Sequence, residues 1–186
     1  MRKIPALKTV LFLLCCASVR AEIEPAVVVN IPQPVGLTMG ESCRADIRFH
    51  IAPGFHIQAN PASEKFLIAA ELKVGSTTGV QAVKVIYPSG KPYRLKGINK
   101  PLSVYGGDFS VGLILTAHPS AKPGASELKG SFRFQACDEK TCLFPDKISV
   151  IVPVQVSKAS KAPPENKKNP KPCVSAAAIK RDSDDP

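Results

Sequence analysis

Two cysteines separated by four residues, Cys137 and Cys142, are the side chains in this sequence best suited to chemistry. They bracket the polar stretch Asp-Glu-Lys-Thr and lie between two segments in which apolar and polar residues alternate. This pattern is typical of a hairpin connection, and facing positions at the mouth of a hairpin bring two Cα atoms within disulfide distance. Because closing so short a loop removes little entropy from the unfolded chain, the bond would stabilise the fold weakly. The spacing favours a structural cross-link and a redox-active pair equally.

A metal site is a third interpretation of the same pair. Cys137 and Cys142 could be joined by His56, or by His50 from the polar face of its strand. Zinc-binding cysteines are commonly separated by about two to four residues, so the spacing is admissible. The sequence has no second close pair, however, and an oxidising compartment favours the disulfide. We therefore expect no bound metal and no other cofactor.

Residues 1–21 have the layout of a secretory signal peptide. Basic residues, among them Arg2 and Lys3, precede the apolar run 10–19, and a cleavage pattern ends at Ala21. The run is shorter than the roughly 20 residues that a membrane span needs, so we expect cleavage rather than an anchor. Cleavage would lower the net charge from +10 to +6 and would leave four of the six cysteines. The mature chain is therefore expected to be periplasmic or secreted, where disulfides persist.

The elements that must position the cysteines are strands. Between residues 22 and 156 the apolar residues recur with a period of two, most clearly over 43–51 and 148–156. Turn-forming Pro and Gly residues separate these runs from shorter ones. Seven or more short strands, each with one apolar face, predict an all-β fold, an immunoglobulin-like antiparallel β-sandwich. The shorter runs place the following residues on inward faces: Val83, Val85, Tyr87, Phe109, Val111, Leu113, Leu115, Leu128, Gly130, Phe132 and Phe134.

The composition excludes several other classes of protein. A chain of 186 residues, 44% of them apolar, suffices for one ordinary domain with tails. Eighteen prolines argue against a helical bundle. A sequence with no Trp and only 6% aromatic residues lacks the stacking surface of a nucleic-acid-binding protein. Because the basic residues are scattered or lie near the C-terminus, we expect no nucleic-acid partner despite the positive charge.

Residues 157–186 differ from the rest of the chain. They contain five of the prolines, a lysine-rich stretch and an acidic end, without a periodic set of apolar residues to bury. This composition predicts a disordered C-terminal tail. Its lysines are the only feature that could bring the chain to an anionic membrane, and a solvated tail without a specific partner is the favoured interpretation.

The other two cysteines of the mature chain have less obvious roles. Cys43 is in phase with the inward residues of its predicted strand, so we expect a small unpaired core residue. Cys173 lies in the predicted tail, free or joined to an unidentified partner. A bond between Cys43 and Cys173 is the alternative, and it would require the tail to reach into the sandwich.

The cysteine hairpin resembles a known family. The block 134–145, Phe-Gln-Ala-Cys-Asp-Glu-Lys-Thr-Cys-Leu-Phe-Pro, is similar to the active-site hairpin of the N-terminal periplasmic domain of the DsbD thiol:disulfide interchange reductases. Three further blocks, 53–61, 85–90 and 102–107, occur in the order of that family, and the similarity covers about residues 30–156. The resemblance implies an immunoglobulin-like sandwich whose cysteine pair accepts electrons from a thioredoxin-like domain and passes them to oxidised periplasmic thiol proteins.

The resemblance also implies roles for individual residues. Cys137 and Cys142 would be the exchanging pair, in which Cys142 forms the mixed disulfides and Cys137 resolves them. The full-length proteins of that family continue into a membrane domain and a thioredoxin-like domain, whereas this sequence stops at Pro186. We therefore expect the electron donor, a thioredoxin-like or membrane reductant, to be a separate protein.

A cap over the cysteine pair is a further feature implied by the resemblance. In that family an aromatic residue of a cap loop covers the pair, and the matching stretch here contains Val104 and Tyr105. Tyr105 is the expected cap residue, and Val104 is the alternative. Phe55 and His56 match a segment near the pair and are expected to line the site.

Two other functions compete with thiol:disulfide oxidoreductase activity of the protein-disulfide-reductase type. One is a secreted β-sandwich binding module whose hairpin disulfide is structural, and the other is copper or zinc handling. A structural disulfide would resist mild reductants and its loss would not change partner binding. A redox pair would be reduced readily, and its substitution would abolish the activity.

Overall fold

The computed structural model of the chain describes residues 25–30, 33–95, 97, 99–158 and 170–175, so the predicted signal peptide at 1–21 lies outside the described residues. No helix in these ranges is long and apolar enough to cross a membrane. Thirteen strands occur in them: β1 (Val27–Asn30), β2 (Val35–Thr38), β3 (Ser42–Ile51), β4 (His56–Gln58), β5 (Glu71–Val74), β6 (Val80–Ile86), β7 (Lys91–Tyr93), β8 (Leu102–Tyr105), β9 (Asp108–Ala117), β10 (Gly124–Phe134), β11 (Ala136–Cys137), β12 (Asp146–Ser157) and β13 (Val174–Ser175).

The strands form three sheets. Sheet A has the strand order β1-β3-β9-β6, sheet B the order β13-β2-β12-β10-β5, and sheet C the order β11-β4-β8-β7. The described strand pairs are antiparallel, apart from β2 and β12, which run parallel. The predicted all-β, immunoglobulin-like sandwich is confirmed, and the parallel pair is an addition to the expected antiparallel order.

The core lies between sheets A and B, because the inward faces of their long strands meet there. Along β3 and β12 the buried and exposed residues alternate, as the period of two predicts. Phe49 of β3 stacks on Phe132 of β10 with ring centroids 4.2 Å apart, and both side chains are almost fully buried. These rings join the two sheets at the centre of the sandwich.

Strand β6 departs from the predicted alternation. A bulge between Ala82 and Lys84 leaves Val83 without a partner on β9, and Val83 is 52% exposed. The expectation that Val83 points inward is therefore wrong, because Val83 is itself the extra residue of the bulge and does not take part in the alternation. Val85 and Tyr87 lie partly buried against the core.

The expectation that Cys43 is an unpaired core residue is also wrong. Cys43 forms a disulfide with Cys173, with Cα atoms 4.8 Å apart. The backbone supports this bond, because Arg44 N–H donates to the carbonyl of Lys171 and Cys173 N–H donates to the carbonyl of Arg44. Strand β13 follows at once and pairs with β2. Residues 170–175 of the predicted disordered tail therefore lie on the sandwich, and the bond needs no entry of the tail into the core.

Sheet C carries the cysteine hairpin. Strands β10 and β12 pair over the whole of β10, from Gly124↔Val156 to Phe134↔Asp146. Beyond this ladder the chain continues through β11, which pairs with β4. The hairpin therefore extends from a rigid two-stranded ladder of sheet B and rests with one side on sheet C.

Replacing Cys43 and Cys173 together by Ser should lower the free energy of unfolding more than replacing Cys137 and Cys142 together. The first bond closes a loop with a sequence separation of 130 residues and the second one of 5. Loop-closure entropy assigns about 5 kcal/mol to the long loop and about 2 kcal/mol to the short one. Urea unfolding under non-reducing conditions measures both losses, and equal losses would contradict this difference.

Candidate functional site

The hairpin geometry brings the two cysteines face to face. Leu143 N–H donates to the carbonyl of Ala136 (2.8 Å), and Asp138 N–H donates to the carbonyl of Thr141 (2.9 Å). Cys137 and Cys142 thus occupy a pair of positions that exchange no backbone hydrogen bonds, where opposing side chains come closest. They form a disulfide with Cα atoms 3.9 Å apart. The predicted hairpin with one cysteine on each side is what the structure contains.

The turn between the cysteines is organised by Asp138. Its Oδ1 accepts hydrogen bonds from the backbone N–H groups of Lys140 (2.6 Å) and Thr141 (2.7 Å). These two bonds, with smaller contributions from the charges of Lys140 and His56, lower the pKa of the Asp138 carboxyl below its usual value. A fixed negative charge therefore lies beside Cys137 at neutral pH.

Gln135 fixes the second arm of the hairpin. Its Nε2 donates to the carbonyl of Leu143 at 3.0 Å. The contact joins the residue after β10 to the residue after Cys142, which lies on the opposite arm. The two arms are thus held together on both sides of the disulfide, by the Asp138 turn and by Gln135.

The two sulfurs differ in their access to solvent. Cys137 belongs to β11, directly opposite His56 of β4, and is only 6% exposed. Cys142 lies on the outer arm of the hairpin and is exposed. A partner molecule can therefore reach Cys142, whereas Cys137 is covered by sheet C.

The disulfide opens onto a cleft of about 530 Å³. Both cysteines line it, together with the buried side chains of His56 and Gln58. Its apolar wall consists of Phe66, Leu67, Leu95, Pro101 and Leu102. Its charged lining residues are Glu64, Lys100, Asp138, Glu139 and Lys140. A cleft of this size, largely apolar with a few converging polar groups, is typical of a binding site.

Of the residues expected to cap or line the pair, His56 is the one that lies directly opposite Cys137 in the pairing of β4 with β11. Its imidazole is 7% exposed, packs on the ring of Tyr93 with centroids 4.1 Å apart, and faces the same side of sheet C as Cys137. Burial lowers the pKa of His56, and the charge of Asp138 opposes this shift more weakly. Phe55, one residue earlier, packs instead against the main core.

Tyr105 does not cover the cysteine pair. It pairs with Ile57, so it faces the side of sheet C opposite to His56, where its ring stacks on Phe109 at 4.6 Å. Its hydroxyl donates to the carbonyl of Pro88, and the side chain is 3% exposed. The expectation that Tyr105 is the cap residue is therefore wrong, because strand alternation turns it into the core. Val104 faces the cysteine side, where it is buried beside Gln58.

Two lining residues were missed by the sequence analysis. Gln58 is 4% exposed, and its Oε1 has no hydrogen-bond partner among the described residues. The alternation His-Ile-Gln in β4 carried a signal for it, since Gln58 must share a face with His56. Phe66 is 81% exposed at the cleft, and it stands in a segment without any periodic pattern that could have indicated it.

The described residues contain no group of three or more His, Cys, Asp and Glu side chains placed to hold a metal ion. His50, the second histidine considered as a ligand, is bonded to the carboxylate of Asp108 at 2.7 Å. Cys137, Cys142 and His56 line one cleft, but the two sulfurs are joined to each other.

Asp138→Ala should raise the hydrogen-exchange rates of the Lys140 and Thr141 amides at pH 7. The bonds to Asp138 depend on its ionised form, so their stabilisation is present above the ordinary carboxyl pKa near 3.8 and is lost as the pH falls through the lower pKa of the folded state. In the wild type both amides should therefore lose protection on acidification below about pH 4, and the variant should show no such step. Glu139→Ala is the matched control and should leave both amides protected. Unchanged exchange in Asp138→Ala would contradict the assignment.

The family model described as thiol:disulfide interchange protein DsbD, N-terminal, matches residues 28–153 of the chain. No curated protein sequence matches significantly. Among solved structures, the N-terminal periplasmic domain of ScsB from Proteus mirabilis is 14% identical with a TM-score of 0.46. This match covers 68% of this chain and 44% of that one, so the chain spans less than half of that structure. The seventh ScaB type I cohesin from Pseudobacteroides cellulosolvens is 11% identical with a TM-score of 0.41, covering 75% and 96% of the two chains.

Proposed function

The chain belongs to the family of the N-terminal domain of the thiol:disulfide interchange protein DsbD, and on that premise we propose that it is a periplasmic thiol–disulfide exchange module whose reacting pair is Cys137 and Cys142. The observation that carries the proposal is the unequal exposure of the two sulfurs at the mouth of a cleft. Thiol–disulfide exchange needs one sulfur that a partner can attack and a second that leaves without being attacked.

The exchange proceeds through a mixed disulfide at Cys142. A donor thiolate attacks the exposed Cys142 sulfur, the bond to Cys137 breaks, and Cys137 leaves as a thiolate that takes up a proton. The second thiol of the donor then attacks the donor sulfur that is bonded to Cys142, and Cys142 leaves as a thiolate. The domain has then gained two electrons, and the donor has become a disulfide. The same steps in reverse pass these electrons to an oxidised client protein.

The Cys43–Cys173 disulfide makes a purely structural role for the Cys137–Cys142 disulfide less favourable. Cys43 and Cys173 are 130 residues apart, so their bond restricts the unfolded chain far more than the bond between Cys137 and Cys142 does. A second cross-link over 5 residues adds about 2 kcal/mol, less than half of the contribution of the long-range bond. The hairpin bond can therefore open during a reaction cycle while the fold is retained.

The surroundings of Cys142 favour a protein as the exchange partner. Three large apolar side chains are exposed beside it: Phe66 (81%), Leu143 (46%) and Phe144 (93%). Exposed apolar groups clustered at one site mark surfaces that bind proteins or ligands. We propose a thioredoxin-like or membrane-bound reductant as the donor and oxidised extracytoplasmic thiol proteins as the clients.

The test is the reduction potential of the Cys137–Cys142 pair, measured by thiol labelling and mass analysis across a series of redox buffers. The pair should open at a potential well above about −300 mV, the region of structural disulfides, while Cys43–Cys173 stays closed. Cys137→Ser should trap a mixed disulfide with an oxidised thiol protein, and Cys142→Ser should not.

Each of these expected results has an opposite outcome that would contradict part or all of the proposed function. Trapping by Cys142→Ser but not by Cys137→Ser would exchange the roles of the two cysteines. A pair that stays closed through the whole series would indicate a binding module with a structural hairpin disulfide instead. Retention of metal by the reduced protein at stoichiometric amounts would indicate copper or zinc handling.

Phe144→Ala should slow exchange with reduced thioredoxin roughly 5- to 30-fold, because truncating an aromatic contact in a protein interface costs about 1–2 kcal/mol. Exchange with dithiothreitol, which needs no protein surface, should be unchanged. Stopped-flow measurement of both reactions gives the two rate constants. Val28→Ala, an exposed apolar residue of β1, is the matched control and should affect neither. Equal slowing with both reductants would mean that Phe144 shapes the hairpin rather than a docking surface.

A further inference from the structure

Cys137 faces a histidine that the exchange steps above do not use. The register of β4 and β11 sets Cys137 directly opposite His56. Residues in such positions have Cβ atoms about 4.5–5.5 Å apart on the same face of the sheet. Both side chains are at least nine-tenths buried, and both line the cleft. Cys137 and His56 therefore occupy neighbouring positions on one face of sheet C, at the edge of the cleft.

The reaction requires a proton acceptor at this position. Only a thiolate attacks a disulfide, so Cys137 must lose its proton before it can resolve the mixed disulfide on Cys142. Burial disfavours a charged sulfur, and the ionised carboxylate of Asp138 next to it has the same effect. Cys142 is exposed and can exchange its proton with water, whereas Cys137 needs a neighbouring base.

We propose that His56 transfers the proton of Cys137 during exchange, an inference that rests on the proposed function. The imidazole accepts the proton of the Cys137 thiol as this sulfur attacks Cys142. The bond between Cys137 and Cys142 forms, the bond between Cys142 and the client breaks, and the client sulfur leaves with the electron pair and is protonated by the imidazolium or by water. The domain loses two electrons and the client gains them. When the donor reduces the domain, His56 takes up the proton that the attacking donor thiol releases and passes it to the departing Cys137 thiolate.

The groups around His56 suit this role. Burial lowers the pKa of the imidazole below its ordinary value of 6.5, so the neutral, proton-accepting form predominates at neutral pH. From the hairpin, the Asp138 carboxylate raises this pKa more weakly and stabilises the imidazolium once it forms. The Tyr93 ring from β7 packs against the imidazole. The other charged groups of the cleft, Glu64, Lys100, Glu139 and Lys140, carry compensating charges.

The two chemical steps can be separated with glutathione disulfide as the probe. The reduced domain is mixed with an excess of glutathione disulfide, quenched with acid at intervals and analysed by mass. The reduced, glutathionylated and oxidised forms then give rate constants for attack by Cys142 and for resolution by Cys137. His56→Gln should slow resolution about 100-fold at pH 7, the range of general acid–base catalysis, so that the glutathionylated form accumulates. Attack by Cys142 should change less than about twofold.

The pH profile distinguishes proton transfer from a packing role. In the wild type, resolution should be nearly independent of pH above neutrality and should fall on acidification, as His56 becomes protonated. In His56→Gln it should rise about tenfold per pH unit, following the thiolate fraction of Cys137. His118→Gln is the matched control, since His118 is exposed and bonded to Ser120, and it should keep the wild-type profile.

Several outcomes would overturn the proposal. A wild-type pH profile in His56→Gln, or equal slowing of both steps, would show that His56 only packs sheet C. Added imidazole should restore resolution in His56→Ala, and a failure to do so in a variant with the wild-type urea midpoint would exclude proton transfer. If Cys137→Ser forms no mixed disulfide with glutathione, the proposed exchange function fails as well. If His56→Gln shows a normal attack by Cys142 and an unchanged rate of resolution, only the role of His56 is excluded.

Discussion

The ladder between β10 and β12 is the constraint on which the rest of the structure depends. It contains eleven paired positions, from Gly124↔Val156 to Phe134↔Asp146. Because side chains alternate along a strand, a slip of one residue would turn the inward valines of β12 to solvent. The same slip would change which residue lies opposite Cys137 on the other arm of the hairpin, where Cys142 now stands. The register that buries the core therefore also sets the surroundings of Cys137.

The two disulfides lie at opposite ends of this ladder. Cys137 and Cys142 extend beyond the Asp146 end of β12, whereas Cys43 contacts the carbonyl of Gly36, which pairs with Gln155. Nine residues of strand separate these positions, or about 30 Å. The long-range bond restricts the unfolded chain by about 5 kcal/mol and the hairpin bond by about 2 kcal/mol. The hairpin bond thus lies apart from the distant cross-link and from the core between sheets A and B.

Local pattern predicted the sandwich and the cysteine hairpin, because both follow from alternation and turns within short segments. It failed where the deciding contact is distant in sequence. The contact between Cys43 and Cys173 is supported by backbone hydrogen bonds at Arg44. Such bonds do not require a periodic pattern of apolar residues, so the sequence of the tail gave no sign of them. Val83 is exposed because of a bulge against β9, which the residues of β6 alone do not reveal. The expectation of Tyr105 as the cap residue came from the resemblance to the family, and only its pairing with Ile57 shows that it faces the core.

The different exposure of the two sulfurs follows from the position of the hairpin at a sheet edge. Strand β11 is one of the two edge strands of sheet C, so Cys137 is covered by β4 on one side and by Cys142 on the other. Cys142 belongs to the arm beyond that edge and remains open to solvent. Open sheet edges generally invite unwanted strand pairing, and very short edge strands such as β11 limit it. Here the Asp138 turn limits the arm to a single bridged position, which leaves room for a partner to approach one sulfur while the second stays enclosed.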